Sequence, residues 1–204
     1  MKRMIKLTIA VMCVMVLAAF VGSAKKLQVQ QGIAKELIRF HVRAASDSPR
    51  DQELKLMVKD AVVEYLEPVL SESASIEESR QLLEQNSPAI REIALAVLAD
   101  NGCDSDVSVY FENTYFPMKS YGDITLPPGE YEAFRIDIGK ADGMNWWCVL
   151  YPPLCFVDVT HAVVPDSSKA MLKNVLDEEE YNAITGEDVE FRFKYLTFLN
   201  FLVE

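Results

Sequence analysis

An apolar run from Leu7 to Val21 divides this 204-residue chain into a leader and the part that has to fold in water. Three basic residues lie before the run, and the small residues 22–24 follow it. This arrangement predicts a secretory signal peptide over residues 1–24, with cleavage after Ala24. The run is shorter than the roughly 20 apolar residues of a membrane-spanning helix, and an uncleaved anchor is the alternative.

The exported part, residues 25–204, has the composition of one acidic domain. Three of the 20 Lys and Arg residues and none of the 31 Asp and Glu residues lie in the leader, which leaves a formal net charge of −14. A segment of this length suits a single domain that buries roughly 70% of its unfolded surface without needing disulfides or metals. Because nucleic acid and anionic lipid both call for a basic patch, the charge disfavours these two classes of partner. We interpret the acidity as solubility.

The first helix predicted in the exported part begins at a capping sequence. Ser48 fits the N-cap, Pro49 fits the first helical position, and Asp51 lies where its carboxylate can reach back to the cap. Apolar residues then recur at helical spacing up to about Leu66. Pro68 is expected to end this helix or to lie just past its end.

Strand patterns precede this helix and return in the middle of the chain. Residues 37–43 alternate between apolar and polar, which predicts a half-buried strand with Arg39, His41 and Arg43 on its outer side. The other predicted helices are 75–83, 87–101 and 167–184. One predicted strand starts at Val107 and is ended or bent by residues 115–117, another covers 132–139, and the tail 189–203 is predicted to be a strand followed by a short apolar helix. The predicted class is therefore α+β, a single exported domain with helices clustered N-terminally and an antiparallel or mixed sheet in the middle.

The sequence contains no strong catalytic or metal-binding motif. G-x-S-x-G, P-loop and G-x-G-x-x-G sequences are absent, and neither His41 nor His161 has a second ligand at metal-binding spacing. His41 lies near Ser46 and Asp47 in sequence, so a weak hydrolase site can be drawn there. Helix capping explains this polar cluster more simply. We predict that the protein is not an enzyme and holds no metal or cofactor.

The segment N-W-W-C-V-L-Y-P-P-L-C-F, residues 145–156, contains both tryptophans of the chain. In an extended strand Trp146 and Trp147 point to opposite faces, so one can enter the core while the other lies on the surface. An exposed tryptophan beside a rigid proline turn is typical of an interface anchor. Burial of both rings in the core is the alternative.

The same segment contains two cysteines, Cys148 and Cys155, on either side of Pro152-Pro153. A hairpin with the prolines near its tip would bring the two thiols opposite each other, and outside the cytosol a disulfide is the default expectation. Two free buried thiols in adjacent strands are the alternative. The C-x6-C spacing is that of neither a redox site nor a zinc knuckle. Cys103 is then the unpaired cysteine of the exported part.

Four stretches of the chain together resemble the stage II sporulation protein R family of endospore-forming bacteria. They are F-H-V-R-A-A-S-D-S-P-R-D-Q-E-L-K at 40–55, D-A-V-V-E-Y-L at 60–66, Y-F-P-M-K-S-Y-G-D-I-T-L-P-P-G-E-Y at 115–131 and N-W-W-C-V-L-Y-P-P-L-C-F at 145–156. The similarity extends from residue 35 to about 160. The combination of N-W-W-C with P-P-L-C-F is its most specific part.

The resemblance implies a secreted signal. Proteins like this are made in the forespore and exported into the intermembrane space between forespore and mother cell. There they activate the membrane-embedded aspartic protease that processes pro-sigma E, the sporulation sigma-E factor-processing peptidase. That protease is the expected partner, and an exported hydrolase or a cell-wall-binding module is the alternative. We place the expected binding surface at Trp146, Trp147, Tyr151, Pro152, Pro153 and Tyr121.

Overall fold

Residues 2–71, 73–155 and 164–186 are described by a computed structural model of the protein. The helices are α1 (Lys2–Lys35), α2 (Pro49–Leu70), α3 (Ile76–Asp100), α4 (Asp166–Val175) and α5 (Glu178–Thr185). The strands are β1 (Ile38–Arg43), β2 (Val107–Phe116), β3 (Lys119–Tyr121), β4 (Ile124–Leu126), β5 (Gly129–Ile138) and β6 (Asn145–Tyr151). The predicted α+β class is confirmed.

Four strands form a mixed sheet in the order β2-β5-β1-β6, and β3 and β4 form a separate two-stranded ribbon. The two central strands, β1 and β5, run parallel, with Phe40 opposite Phe134. The outer strands are antiparallel to their neighbours, β2 to β5 and β6 to β1. Among the described strands, β2 and β6 are therefore the edges of the sheet, and β6 carries the tryptophan segment.

One face of the sheet, here called the helical face, is covered by α2 and α3. Alternate residues of the central strands point to it, among them Phe40 and Val42 of β1 and Ile136 of β5. Both helices place apolar stripes with helical spacing on this face, and their fully buried members are Val58, Val62, Leu66, Leu83, Ile90, Ala94 and Leu98. These stripes and the alternating strand residues form one continuous core.

The opposite face, here called the second face, is covered at one end by a smaller cluster. The last turns of α1, the β3–β4 ribbon and helices α4 and α5 meet there, and the cluster includes Ile33, Phe116, Tyr131 and Val149. At the other end of this face Ser108, Tyr110 and Asn145 are exposed. The second face is thus half core and half solvent-facing in the described part of the chain.

Helix α1 runs through the predicted leader and into the domain. The stretch Met12–Lys35 is long and apolar enough to cross a membrane by length and composition, a criterion that a signal sequence near the N-terminus also meets. The last turns of α1 pack against the domain, where Ile33 is fully buried and Gln30 Nε2 donates a hydrogen bond to the carbonyl oxygen of Glu130 at 3.3 Å. Cleavage after Ala24 would leave these contacts in the exported part.

The prediction of separate helices at 75–83 and 87–101 is wrong, since α3 is continuous through Pro88. Proline lacks an N–H and normally breaks a helix interior. Here Ser87 Oγ donates to the carbonyl oxygen of Leu83 at 2.8 Å. Buried residues of α3 both precede and follow Pro88 in the sequence. Packing of both halves on the same core outweighs the local break. Pro68 likewise lies inside the last turn of α2.

The single helix predicted at 167–184 is also wrong, because the chain breaks it into α4 and α5. Asp177 caps α5 in a complete capping box: its side chain accepts from the N–H of Glu180, and Glu180 accepts from the N–H of Asp177. The new cap stabilises a second helix start, which the helical spacing of the apolar residues did not indicate. The predicted strand and helix at 189–203 lie outside the described residues, as does His161.

Candidate partner-binding site

Strand β6 places the two tryptophans on opposite faces of the sheet edge. The Trp146 ring lies on the helical face, edge-on to Phe40 with ring centroids 5.8 Å apart. The Trp147 ring lies on the second face, 5.9 Å from the rings of both His41 and Phe116. The sequence left two alternatives, one ring in the core with the other on the surface, or both rings in the core. The structure shows neither, because both indoles are half-buried.

Each indole also has a lysine over its ring. Lys59 of α2 lies with its ammonium 5.1 Å from the Trp146 ring centroid, and Lys119 of β3 lies 4.3 Å from that of Trp147. Cation–π contacts of this kind are worth about 0.5–1 kcal/mol where they are exposed to water. We call these four residues the tryptophan edge.

Beneath the tryptophan edge lies a fully buried arginine, Arg39. Its Nε donates to the carbonyl oxygen of Cys148 at 3.3 Å, and its Nη2 donates to the Tyr121 hydroxyl at 3.0 Å. The guanidinium carbon also lies 4.2 Å from the ring centroid of Phe116 and 4.8 Å from that of Tyr131. Arg39 therefore joins β6 to the β3–β4 ribbon and brings Tyr121 under the tryptophan segment.

Arg39 and His41 correct the prediction that the polar side of β1 faces water. Both are buried, His41 with 6% of its surface exposed. The alternating pattern identified correctly which residues share a face. It contained no information about the α1, β3 and β4 residues that cover that face, and these are distant in sequence. No local signal singled out Arg39, Lys59 or Lys119.

The turn after β6 is more buried than the sequence suggested. The Tyr151–Pro152 peptide bond is cis, and the Tyr151 and Pro152 side chains are buried. Pro153 is half-buried, and its carbonyl oxygen accepts a hydrogen bond from Ser168 Oγ of α4 at 2.8 Å. Of the residues expected to bind a partner, the two tryptophans and Tyr121 lie around one edge, whereas Tyr151 and Pro152 support the edge from inside.

The turn brings the two thiols of the segment together. The Cys155 Sγ lies 2.9 Å from the carbonyl oxygen of Val149, and Cys148 is buried beside it. Burial raises the pKa of the Cys155 thiol well above its ordinary value, and the neighbouring Cys148 raises it further. Both cysteines are free thiols in the structure. Their disulfide stays a prediction, and the fold places the two thiols as neighbours.

The hydrolase candidates do not assemble into a catalytic group. Ser46 Oγ donates to the Asp51 carboxylate, and Asp47 Oδ1 accepts from the N–H of Met144 at 2.6 Å. The two imidazole nitrogens of His41 are buried without a hydrogen-bond partner, and burial lowers the pKa of His41 to about 4. A general base at neutral pH needs a hydrogen-bonded nucleophile within reach, which His41 lacks in the described structure.

The helix cap at this place is confirmed with one difference. Ser48 is the N-cap of α2, and its Oγ accepts from the N–H of Asp51 at 3.1 Å. The Asp51 carboxylate does not return to the cap, because it is held by Ser46, whose Oγ also accepts the N–H of Ser48 at 3.1 Å. Among the described residues, no three His, Cys, Asp or Glu side chains are grouped so that they could hold a metal ion.

A protein-family model and a curated relative identify the same family for this chain. A protein-family model described as stage II sporulation protein R matches residues 34–161. The stage II sporulation protein R of Bacillus subtilis (strain 168) is 37% identical over 172 residues, which cover 78% of this chain and 77% of the relative. No solved structure matches the chain. The matched range contains β1 to β6 and the whole of the tryptophan edge.

Proposed function

Because this chain belongs to the stage II sporulation protein R family and so has a role in sporulation, we propose that it is a secreted signal that activates the protease responsible for processing pro-sigma E. The protein is exported from the forespore to the intermembrane space. There it binds the outward-facing part of the membrane-embedded aspartic protease. It forms and breaks no covalent bonds itself.

The observation that carries this proposal is the tryptophan edge. Two half-buried indoles lie on an edge strand, each under a lysine, within the range that the family model matches. Tryptophan is the residue most enriched among those that dominate binding energy at protein interfaces. The buried Arg39 and the Pro152 turn fix the strand from behind, so little conformational freedom is lost when a partner binds.

Activation follows if the domain binds the active state of the protease more tightly than the inactive state. A bound protein shifts such an equilibrium only by its differential affinity for the two states. Moving the protease from about 1% active to about 50% active requires roughly a hundredfold preference, or about 2.7 kcal/mol. An interface with one or two tryptophan hot spots can supply a preference of this size.

Replacing Trp147 with Ala tests the site in a reconstituted system of exported domain, membrane protease and pro-sigma E. We expect the affinity of the domain for the protease to fall by about 2 kcal/mol, or about 30-fold, so that half-maximal processing needs correspondingly more domain. Leu56→Ala is the matched control, because Leu56 is an exposed apolar residue of α2 outside the tryptophan edge. Circular dichroism verifies that both variants are folded.

Unchanged processing by folded Trp147→Ala protein would return Trp147 to a structural role. A parallel pull-down separates the proposal from cell-wall binding, since the domain is expected to sediment with the outward-facing part of the protease and not with purified peptidoglycan. The hydrolase alternative is tested by His41→Ala, which is expected to retain signalling in protein that stays folded.

A further inference from the structure

Strand β2 is a long, regular edge of the main sheet. It pairs with β5 over all ten residues, from Val107 opposite Ile138 to Phe116 opposite Gly129, with no shift of register. No other described strand pairs with β2. Its outer side therefore presents a row of backbone groups in an extended, preformed geometry.

The hydrogen bonds at the start of β2 show which residues face outward. The N–H of Gly139 donates to the carbonyl oxygen of Asp106 at 2.8 Å, so residue 106 faces β5. Successive residues of a strand direct their backbone groups to alternate sides, so the odd-numbered residues of β2 face away from β5. Consistently, Arg91 Nε donates to the carbonyl oxygen of Val107 at 2.8 Å. From Val109 to Tyr115, the outward groups have no partner in the described part of the chain.

Over residues 109–115, β2 carries few of the devices that normally protect a sheet edge from pairing, as far as the described residues show. Lysine, proline and β-bulges are the usual ones, and β2 contains none of them. Its single charged side chain, Glu112, is paired with Arg135 of β5. The opposite edge differs, because the N–H groups of Leu154 and Cys155 fold back onto the carbonyl oxygen of Val149 in β6.

We propose that β2 is the interface between two copies of this chain, paired antiparallel across a two-fold axis at Phe111. In this register Val109 lies opposite Asn113 of the second copy, and three residue pairs form about six backbone hydrogen bonds. The two-fold axis pairs the outer edge of β2 in one copy with the same edge in the other copy, so one surface supplies both halves of the interface. The inference goes beyond the proposed function and does not depend on it.

The charges of β2 favour this register. Each Glu112 lies opposite Tyr110 of the second copy, and each Glu112 already has Arg135 as its counter-ion. An axis at residue 112 would place the two Glu112 carboxylates directly opposite each other, which is unfavourable. The exposed rings of Tyr110 and Tyr115 add apolar area beside the strand pair. An interface of one strand from each copy is small, so the dimer is weak and forms at micromolar or higher concentrations.

Sedimentation equilibrium of the purified domain 25–204 at increasing concentration tests the inference. We expect the wild-type mass to rise from monomer to dimer, and the Asn113→Pro variant to remain monomeric. Proline at an outward position removes one N–H per copy from the new ladder and none from the pairing with β5. Asn113→Ala keeps that N–H, so it is the matched control and is expected to dimerise like the wild type.

Amide hydrogen exchange supplies a readout that needs no variant. The amides of Val109, Phe111 and Asn113 are expected to exchange more slowly at high protein concentration, whereas the already paired amides of Tyr110 and Glu112 change little. A wild-type domain that stays monomeric throughout, a dimer that Asn113→Pro leaves intact, or exchange at these three amides that is independent of concentration would each overturn the inference.

Discussion

Arg39 is the residue on which the second face depends. It is fully buried, and among the described residues its hydrogen-bond partners are a carbonyl oxygen and a hydroxyl, with no carboxylate. The rings of Phe116, Tyr121 and Tyr131 surround the guanidinium instead. Aromatic faces and neutral acceptors thus offset part of the cost of burying the charge.

Truncating this side chain by Arg39→Ala is expected to lower the free energy of unfolding by about 3 kcal/mol. The change leaves a cavity and removes the donors to Cys148 and Tyr121. Arg50→Ala is the control, because the ion pair of Arg50 with Glu53 and its hydrogen bond to the carbonyl oxygen of Asn101 are both exposed, and their loss is expected to cost about 1 kcal/mol. Urea unfolding of both variants measures the difference. Equal losses would show that Arg39 does not hold the second face together.

His41 makes the stability of the domain depend on pH. Its pKa is lowered from 6.5 to about 4 by burial, with smaller contributions from Arg135 and Arg43. Between these values the unfolded chain binds a proton that the folded protein does not, so unfolding becomes easier as the pH falls from 6.5 toward 4. The full effect is about 2 kcal/mol, allowing for partial solvent screening.

The variant His41→Phe isolates this contribution, since it keeps the aromatic packing against Trp147 and Phe116. Urea unfolding at pH 6.5 and pH 5 is expected to show a smaller loss of stability for the variant than for the wild type over this interval. If both proteins lose the same free energy, His41 is not the group that titrates.

At the residue scale, the sequence predicted local features well and burial poorly. The Ser48 cap is confirmed because an N-cap depends on a few adjacent residues. Arg39 and His41 were assigned to water because alternation specifies a shared face and not what covers it. The covering residues, such as Ile33 of α1 and Ile124 of β4, come from distant parts of the chain.

At the scale of single elements, helix ends were harder to predict than helix interiors. Pro88 and Pro68 both lie inside helices, although proline is the usual stop signal. The stripe that continues from Leu83 to Ile90 on one core decides the outcome for α3. The break between α4 and α5 has the opposite cause, since the Asp177 capping box stabilises a new start.

The turn after β6 brings the thiols of Cys148 and Cys155 together, and we predict that they form a disulfide. In the oxidised exported domain, we expect alkylation and mass spectrometry to find Cys148 joined to Cys155 and Cys103 free. Closing so short a loop stabilises by about 2.5 kcal/mol in the chain-entropy model, less any native strain. Reduction should therefore lower the urea midpoint of the wild type. The Cys155→Ala variant is the control and should not respond.

Three alkylated cysteines in folded domain recovered from an oxidising compartment would contradict the disulfide. The turn itself does not depend on it, because backbone hydrogen bonds from Leu154 and Cys155 to Val149 already close the loop. The tryptophan edge is therefore expected to keep its arrangement in reduced protein, which the intrinsic tryptophan fluorescence of the folded domain can verify.

At the scale of the whole molecule, the predicted α+β class and the mixed sheet are confirmed. The order of the strands in the sheet could not have been derived from the sequence alone. The parallel pairing of β1 with β5 joins residues 94 positions apart, such as Phe40 and Phe134. Nothing local in either strand specifies this partner. That pairing places β6 and β2 at the edges of the described sheet, so the positions of the tryptophan edge and of the proposed dimer interface follow from long-range topology.

The whole-molecule arrangement also separates two surfaces with different expected partners. The tryptophan edge is centred on β6, and the proposed interface between copies lies on β2, at the opposite edge of the described sheet. A dimer would leave both tryptophan edges free. Binding to the protease and self-association can therefore be tested separately, and Trp147→Ala is not expected to change the dimer, nor Asn113→Pro the binding of one domain to the protease.

The most direct measurement uses sealed vesicles that contain the protease in one orientation. The exported domain is added on the side of its outward-facing part, and pro-sigma E is enclosed on the other side. We expect cleavage to rise at least about tenfold and to saturate with domain concentration, as for a ligand that shifts a two-state equilibrium across the membrane. Cleavage that is unchanged by the domain, or that requires domain and pro-sigma E on the same side, would contradict the account.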